Sequence, residues 1–181
     1  MSLARNVETH GTANMIPFAW LDRILEWFTP DHLKNDVGMR KRVRMFLISH
    51  IFGPMASCPI PISLYIMDPS PWPQVPILAA SIQGFWVFLV LIKLFPRHYT
   101  ALALISILNL NFAVLWASFN YGGTSSPFLV WYVMLPMLAF FYLGATALTR
   151  TLILLQVVLG IAVFLAAYIL SGQAFPSNIP I

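Results

Sequence analysis

Charge is what this chain has least of. Only 9% of its 181 residues are Asp, Glu, Lys or Arg, against about 25% in a soluble domain. Hydrophobic residues make up 59% of the chain, and mean hydropathy is +0.79. That balance excludes a water-soluble fold. A single cysteine, Cys58, excludes an internal disulfide and any multi-cysteine metal site. Past Asp68 there is no carboxylate at all, so the apolar segments lack the acidic relays on which proton and ion pumps depend. No apolar stretch followed by a small-residue cleavage site opens the chain, which argues against a cleavable signal peptide and for a retained first span.

What is present is apolar sequence in long runs. Five stretches of about 19–21 residues cover 46–66, 76–95, 99–119, 128–146 and 151–171. A helix of that length, rising ~1.5 Å per residue, crosses the ~30 Å hydrocarbon core of a bilayer. The basic residues follow the same division. Arg5, Arg23, Lys34, Arg40, Lys41, Arg42 and Arg44 precede the first stretch, Lys93 and Arg97 flank the second connection, and Arg150 lies in the fourth. The loops 67–75 and 120–127 and the tail 172–181 hold no Lys or Arg. The positive-inside rule then predicts a cytoplasmic N-terminus and, after five crossings, an external C-terminus. A pI near 9.5 is explained by this juxtamembrane charge and its attraction to anionic lipid, so no nucleic-acid partner is inferred.

The reading is an all-α polytopic membrane protein: five transmembrane helices plus an N-terminal cytoplasmic amphipathic helix. A cytoplasmic segment 1–45 precedes a helical bundle 46–181. Within 17–29, Trp20, Leu21, Ile24, Leu25 and Phe28 recur at helical spacing, with Asp22, Arg23 and Glu26 opposite them. Such a helix suits the headgroup plane. Pro54, Pro59 and Pro61 predict a bend or break in the first span. Broken backbone at membrane depth must face protein or a water-filled cavity, so this helix is expected to face the bundle. Pro136 predicts a kink in the aromatic fourth span. Gly122, Gly123, Ser126 and Pro127 mark an external turn.

Candidate site residues are few. Of His10, His32, His50 and His98, only His50 has the depth to ligate a haem or chlorophyll, with Gly53 leaving room for a flat ring. The alternative is a histidine hydrogen-bonded to a neighbouring helix. No histidine pair has metal spacing on one helical face, so no metal site is expected. Gln83, Asn109, Asn111 and Gln156 are the polar intramembrane side chains. Asn109 and Asn111 point to roughly opposite faces. Such groups join helices, at roughly 0.6–2 kcal/mol each, or line a polar ligand pocket.

The run Arg40–Pro54, the turn Tyr121-Gly122-Gly123-Thr124-Ser125-Ser126-Pro127-Phe128 and the stretch Leu138–Gly144 resemble the N-terminal membrane module of bacterial sensor histidine kinases, often hybrid ones. Related arrangements anchor some nucleotide cyclases. The resemblance implies a bacterial inner membrane and a six-helix input module whose last helix runs into a cytoplasmic kinase. This chain has five spans and carries neither a phospho-accepting histidine box nor an ATP-binding glycine motif. It is read as a fragment of such a sensor or as a stand-alone derivative. The function expected is a non-catalytic sensor or anchor module, acting as a homodimer or with other membrane subunits. No cofactor is required, although a lipid, a quinone or a tetrapyrrole would suit the interior. The alternative is an accessory or scaffold subunit of a respiratory or photosynthetic complex. A transporter is disfavoured by the odd number of spans, the missing repeat and the missing intramembrane charge.

Overall fold

The structure, a computed structural model, describes residues 19–30, 36–144, 146–172 and 175. Two of the histidines considered above, His10 and His32, and residues 17–18 of the expected interfacial helix lie outside that set. Every element formed by the described residues is a helix, with no strand among them. In chain order the helices are α1 (Ala19–Phe28), α2 (Val37–Ser57), α3 (Pro59–Met67), α4 (Gln74–Leu94), α5 (Tyr99–Asn120), α6 (Met134–Leu143) and α7 (Ala147–Leu170). A 3-10 helix, Pro127–Val133, runs directly into α6.

Four segments are long and apolar enough to cross a membrane: Val37–Met67, Gln74–Leu94, Pro96–Asn120 and Ala147–Leu170. The stretch Pro127–Leu143 is apolar but shorter. The first segment starts at Val37, well before the predicted 46. The reason is local: Asp36 caps the helix, its Oδ1 accepting from the Gly38 and Met39 amides at 2.8 and 3.1 Å. Arg40 through Arg44 therefore sit on the first turns of α2 rather than in a loop.

The prolines act differently from one another. Pro54 stays inside α2, whereas the helix breaks at Cys58 and restarts with Pro59 at the first position of α3. A proline there gives up only an amide that has no helical partner anyway. Pro61 follows in the same first turn. Pro136 lies in the first turn of α6, so it starts an α-helix instead of kinking one. The irregularity comes earlier, where the 3-10 helix becomes α.

Helices α2 and α3 continue one another along a single segment, and α5 is the hub, packing against α4, α6, α7 and the 3-10 helix. The side chains of α2 meet α4 and α6. Basic residues gather at one end of this bundle. There Arg42 Nη1 donates to the Leu143 carbonyl at 3.3 Å, and Lys93 Nζ lies over the Trp27 ring. At the opposite end Tyr121 donates to Asp68 Oδ2 at 2.8 Å.

Helix α1 is docked on the basic end. Its Leu25 is 2% exposed in the core, with Leu21 and Phe28 packed beside it. Asp22 pairs with Arg44, and Glu26 lies 3.7 Å from Arg40. A second stripe, Trp20, Ile24 and Trp27, remains exposed. Its spacing of four and three residues puts all three on one helical face.

Candidate functional site

Two apolar cores fill the bundle. The larger, around Phe46, Leu47, Ile92, Leu135 and Ile153, lies toward the basic end. The smaller, around Leu64, Leu78, Ile82, Ala113 and Ala117, lies toward the Asp68 end. Between them is a cavity of about 220 Å³. Its walls come from four elements: α2 with α3, α4, α5, and the 127–143 stretch. Gly53, Pro54 and Ser57 bring the broken helix to it, and Phe128, Trp131 and Leu138 close the facing side.

Two features of the sequence open this space. Gly53 has no side chain, and a Cβ there would meet nothing within 4 Å. The interruption of α2 and α3 at Cys58 stops the chain from packing as one regular helix through the middle of the bundle.

One end of the cavity is polar. His50, 1% exposed, donates from Nδ1 to the Phe46 carbonyl at 2.7 Å and pairs through Nε2 with the Ser106 hydroxyl at 2.6 Å. Its ring stacks on Phe46 at 3.7 Å between centroids. Both nitrogens are thus engaged within the protein and one ring face is covered. To ligate a metal, His50 would have to surrender Ser106. Beside it, Ser49 Oγ meets the Tyr142 hydroxyl at 2.6 Å, and Tyr99 donates to the Tyr142 carbonyl at 2.9 Å. No group of three His, Cys, Asp or Glu side chains able to hold a metal occurs among the described residues.

The remaining polar positions are placed along the helix seams. Asn109 exchanges two bonds with Ser81 of α4: Ser81 Oγ donates to Oδ1, and Asn109 Nδ2 donates to the Ser81 carbonyl, both at 2.9 Å. Asn111 faces α7 instead and donates to the Gln156 carbonyl at 2.9 Å. Gln156 returns a bond from Nε2 to the Leu104 carbonyl at 3.1 Å. The side-chain oxygens of Gln74, Gln83, Asn111 and Gln156 are buried without a donor. A second hollow, of about 410 Å³, lies along the α5–α7 seam beside Phe112, Phe119 and Phe164.

The turn at the Asp68 end is built on strained backbone. Gly122 and Gly123 have φ of 98° and 57°, a region that favours glycine. A Cβ on Gly123 would strike the Phe175 ring. Ser126 then caps the 3-10 helix, accepting from the Phe128 amide at 3.3 Å, with Pro127 at its first position. Burial, together with the Asp68 carboxylate it donates to, pushes the Tyr121 phenol above the ordinary tyrosine range.

Sequence reasoning found the histidine, the prolines and the asparagines, but not Ser49, Ser81, Ser106, Tyr99 or Tyr142. Only proximity in the folded bundle gives those hydroxyls meaning. No family model, no curated protein and no solved structure matches the chain.

Proposed function

We propose that this chain is the non-catalytic input module of a membrane sensor, of the kind that precedes bacterial histidine kinases, and that it detects a small apolar molecule held in the cavity between α2 and the 127–143 stretch. The observation that carries the reading is the cavity itself. It lies where a proline-interrupted helix meets an aromatic one, so an occupant touches two elements whose packing is irregular and able to shift. A ligand that fits one arrangement better than the other rebiases the bundle, and only that differential affinity transmits a signal.

Five crossings with the basic end in the cytoplasm of a bacterial inner membrane complete the proposal. The 127–143 stretch is short in residues but not in reach. Its seven 3-10 residues rise ~2.0 Å each and span about 14 Å. The ten α-helical residues of α6 add about 15 Å at ~1.5 Å each. Together they come to about 29 Å, close to the hydrocarbon thickness. Sidedness rests on Arg40, Arg42, Arg44, Lys93, Arg97 and Arg150 lying at one end of the bundle, while Asp68 is at the other. The exposed stripe Trp20, Ile24 and Trp27 then enters the headgroup layer on the cytoplasmic side. A reporter fused after Ile181 is expected outside the cell. A reporter found in the cytosol removes the fifth crossing.

The test of the ligand reading is thermal unfolding in mild detergent with a panel of ring-sized apolar molecules. A ligand at a hundredfold excess over its Kd stabilises the native state by about 2.7 kcal/mol. The wild type is expected to melt higher with at least one of them, and the cavity-filled variant Gly53→Leu is expected not to respond. A wild type that none of them stabilises overturns the reading.

A second reading, an accessory subunit of a larger membrane complex, draws on α7. Its Leu154, Leu155, Val158, Leu159, Ile161 and Val163 are all exposed, which suits either lipid or a partner helix. Comigration with a stoichiometric complex during mild purification would favour it.

A further inference from the structure

We infer that the cavity selects a ring-sized apolar molecule carrying a hydroxyl donor, and discriminates against the same molecule when its polar atom can only accept. The inference rests on the reading of this cavity as a ligand site and narrows the chemistry of what it holds.

The argument is a count of hydrogens at the polar end. Ser49 Oγ lies 2.9 Å from the Met45 carbonyl and 2.9 Å from the Phe46 carbonyl. Carbonyl oxygens only accept, so the Ser49 hydrogen goes to them. The 2.6 Å contact between Ser49 and Tyr142 must then use the hydrogen of Tyr142. His50 Nδ1 faces the Phe46 carbonyl and so carries its ring hydrogen, which leaves Nε2 to accept from Ser106. This tautomer is assigned from the partners. Tyr99 has spent its hydrogen on the Tyr142 carbonyl.

Every O–H and N–H at this end is therefore committed, and what is left is lone pairs. The phenolic oxygen of Tyr142 receives no hydrogen bond among the described residues, whereas Ser49 Oγ accepts from Tyr142 and has the protonated His50 Nδ1 3.4 Å away. A ketone, ether or ester entering here meets oxygen with oxygen in a water-poor space. A hydroxyl supplies the missing hydrogen. Burying a polar group without a partner is the costlier outcome, so the asymmetry favours the donor.

Size and shape set the rest of the ligand. A dry apolar cavity of about 150 Å³ accepts benzene, and about 220 Å³ leaves room for a ring with a short alkyl arm. The arm would run along α2 toward Ile60, Ala117 and Phe128. Ser57 borders that far end, two helical turns from His50, or about 10 Å. It stands too far along to meet the hydroxyl of a ligand seated on Tyr142.

The experiment compares 4-propylphenol, 4-propylanisole and propylbenzene by equilibrium binding to the purified full chain in mild detergent, with Gly53→Leu subtracting uptake by the micelle. The phenol is expected to bind about tenfold more tightly than either analogue. Tyr142→Phe keeps the ring and removes the acceptor, so it is expected to bring the three to equal affinity. Ser57→Ala is expected to leave the preference intact. Equal binding of all three to the wild type overturns the inference while the ligand cavity stands. So does a preference that survives Tyr142→Phe and Ser49→Ala, or one that disappears with Ser57→Ala. Uptake of all three that Gly53→Leu does not reduce overturns the cavity reading as well.

Discussion

Asn109 and Asn111 stand two residues apart on α5, yet the seams they enter are built to different standards. Toward α4, Asn109 and Ser81 satisfy one another completely. The same seam is tied again near its Asp68 end by Trp116 Nε1 donating to the Gln74 carbonyl at 3.0 Å, beside a Gln74 side-chain oxygen that is buried without a donor. Toward α7, Asn111 and Gln156 each spend a donor and keep an idle, buried oxygen. The α7 seam closes by shape instead. Gly160 lets Tyr132 and Asn111 approach so near that a Cβ would lie 2.5 Å from the tyrosine hydroxyl and 2.6 Å from the amide. One interface holds a reciprocal side-chain pair; the other combines one-way bonds from Asn111, Gln156 and Tyr132 to backbone carbonyls with close packing at Gly160. In an apolar solvent the first resists sliding, because breaking it leaves two partners bare. The second rests on one-way bonds and close packing, so crowding is what it tolerates least.

Crowding should therefore do the most damage. Gly160→Val is expected to destabilise the bundle by about 3 kcal/mol, since an overpacked core costs ~1–3 kcal/mol and here three atoms are struck at once. Unfolding in detergent checks it. A neutral result would mean that α7 is free to move away, and the contrast between the seams would fall.

Next in size is Tyr121→Phe, expected to cost about 2 kcal/mol, because it strips a hydrogen bond from the Asp68 carboxylate. The contribution has a pH signature. The native phenol titrates above its ordinary value near 10, so the stabilisation is complete below pH ~10 and lost as pH rises beyond it. The difference between wild type and Tyr121→Phe should shrink only in that alkaline range. A difference that fades nearer neutrality would assign it to another group.

Asn109→Leu is smaller, about 1 kcal/mol, within the range found for polar pairs between membrane helices. Asn111→Leu is smaller still, below about 0.5 kcal/mol, because it removes an orphaned oxygen together with the bond. If these two were equal, or reversed, the hydrogen-bond account of the seams would be wrong.

That the chain is helical and carries apolar segments long enough to cross a membrane can be read directly from it, because hydropathy over windows of about twenty residues marks them. That Asn109 and Asn111 would meet different neighbours also follows, from helical geometry alone. The start of α2 was legible in principle: Asp36 followed by Gly38 and Met39 is a capping signal, but the basic run after it draws attention to the lipid boundary instead. Pro136 misleads because proline means opposite things in the first turn of a helix and in its middle. Of the polar end of the cavity only His50 could be read. A serine in an apolar helix commonly bonds the carbonyl four residues back, as Ser118 does to Val114 at 2.8 Å. Ser49 does the same with Met45, and nothing local marks it as the partner of Tyr142.

Arg42 and Leu143 are 101 residues apart in the chain. The guanidinium fills the space where Gly144, at φ 74°, lacks a side chain, so this corner cannot form until the chain has been made at least as far as Gly144. Helix α2 thus waits, with Arg42 lacking this partner, for the end of α6. Assembly at that end finishes late, and a translation arrest before position 143 would leave an insertion intermediate with an open corner that quality-control proteases could recognise.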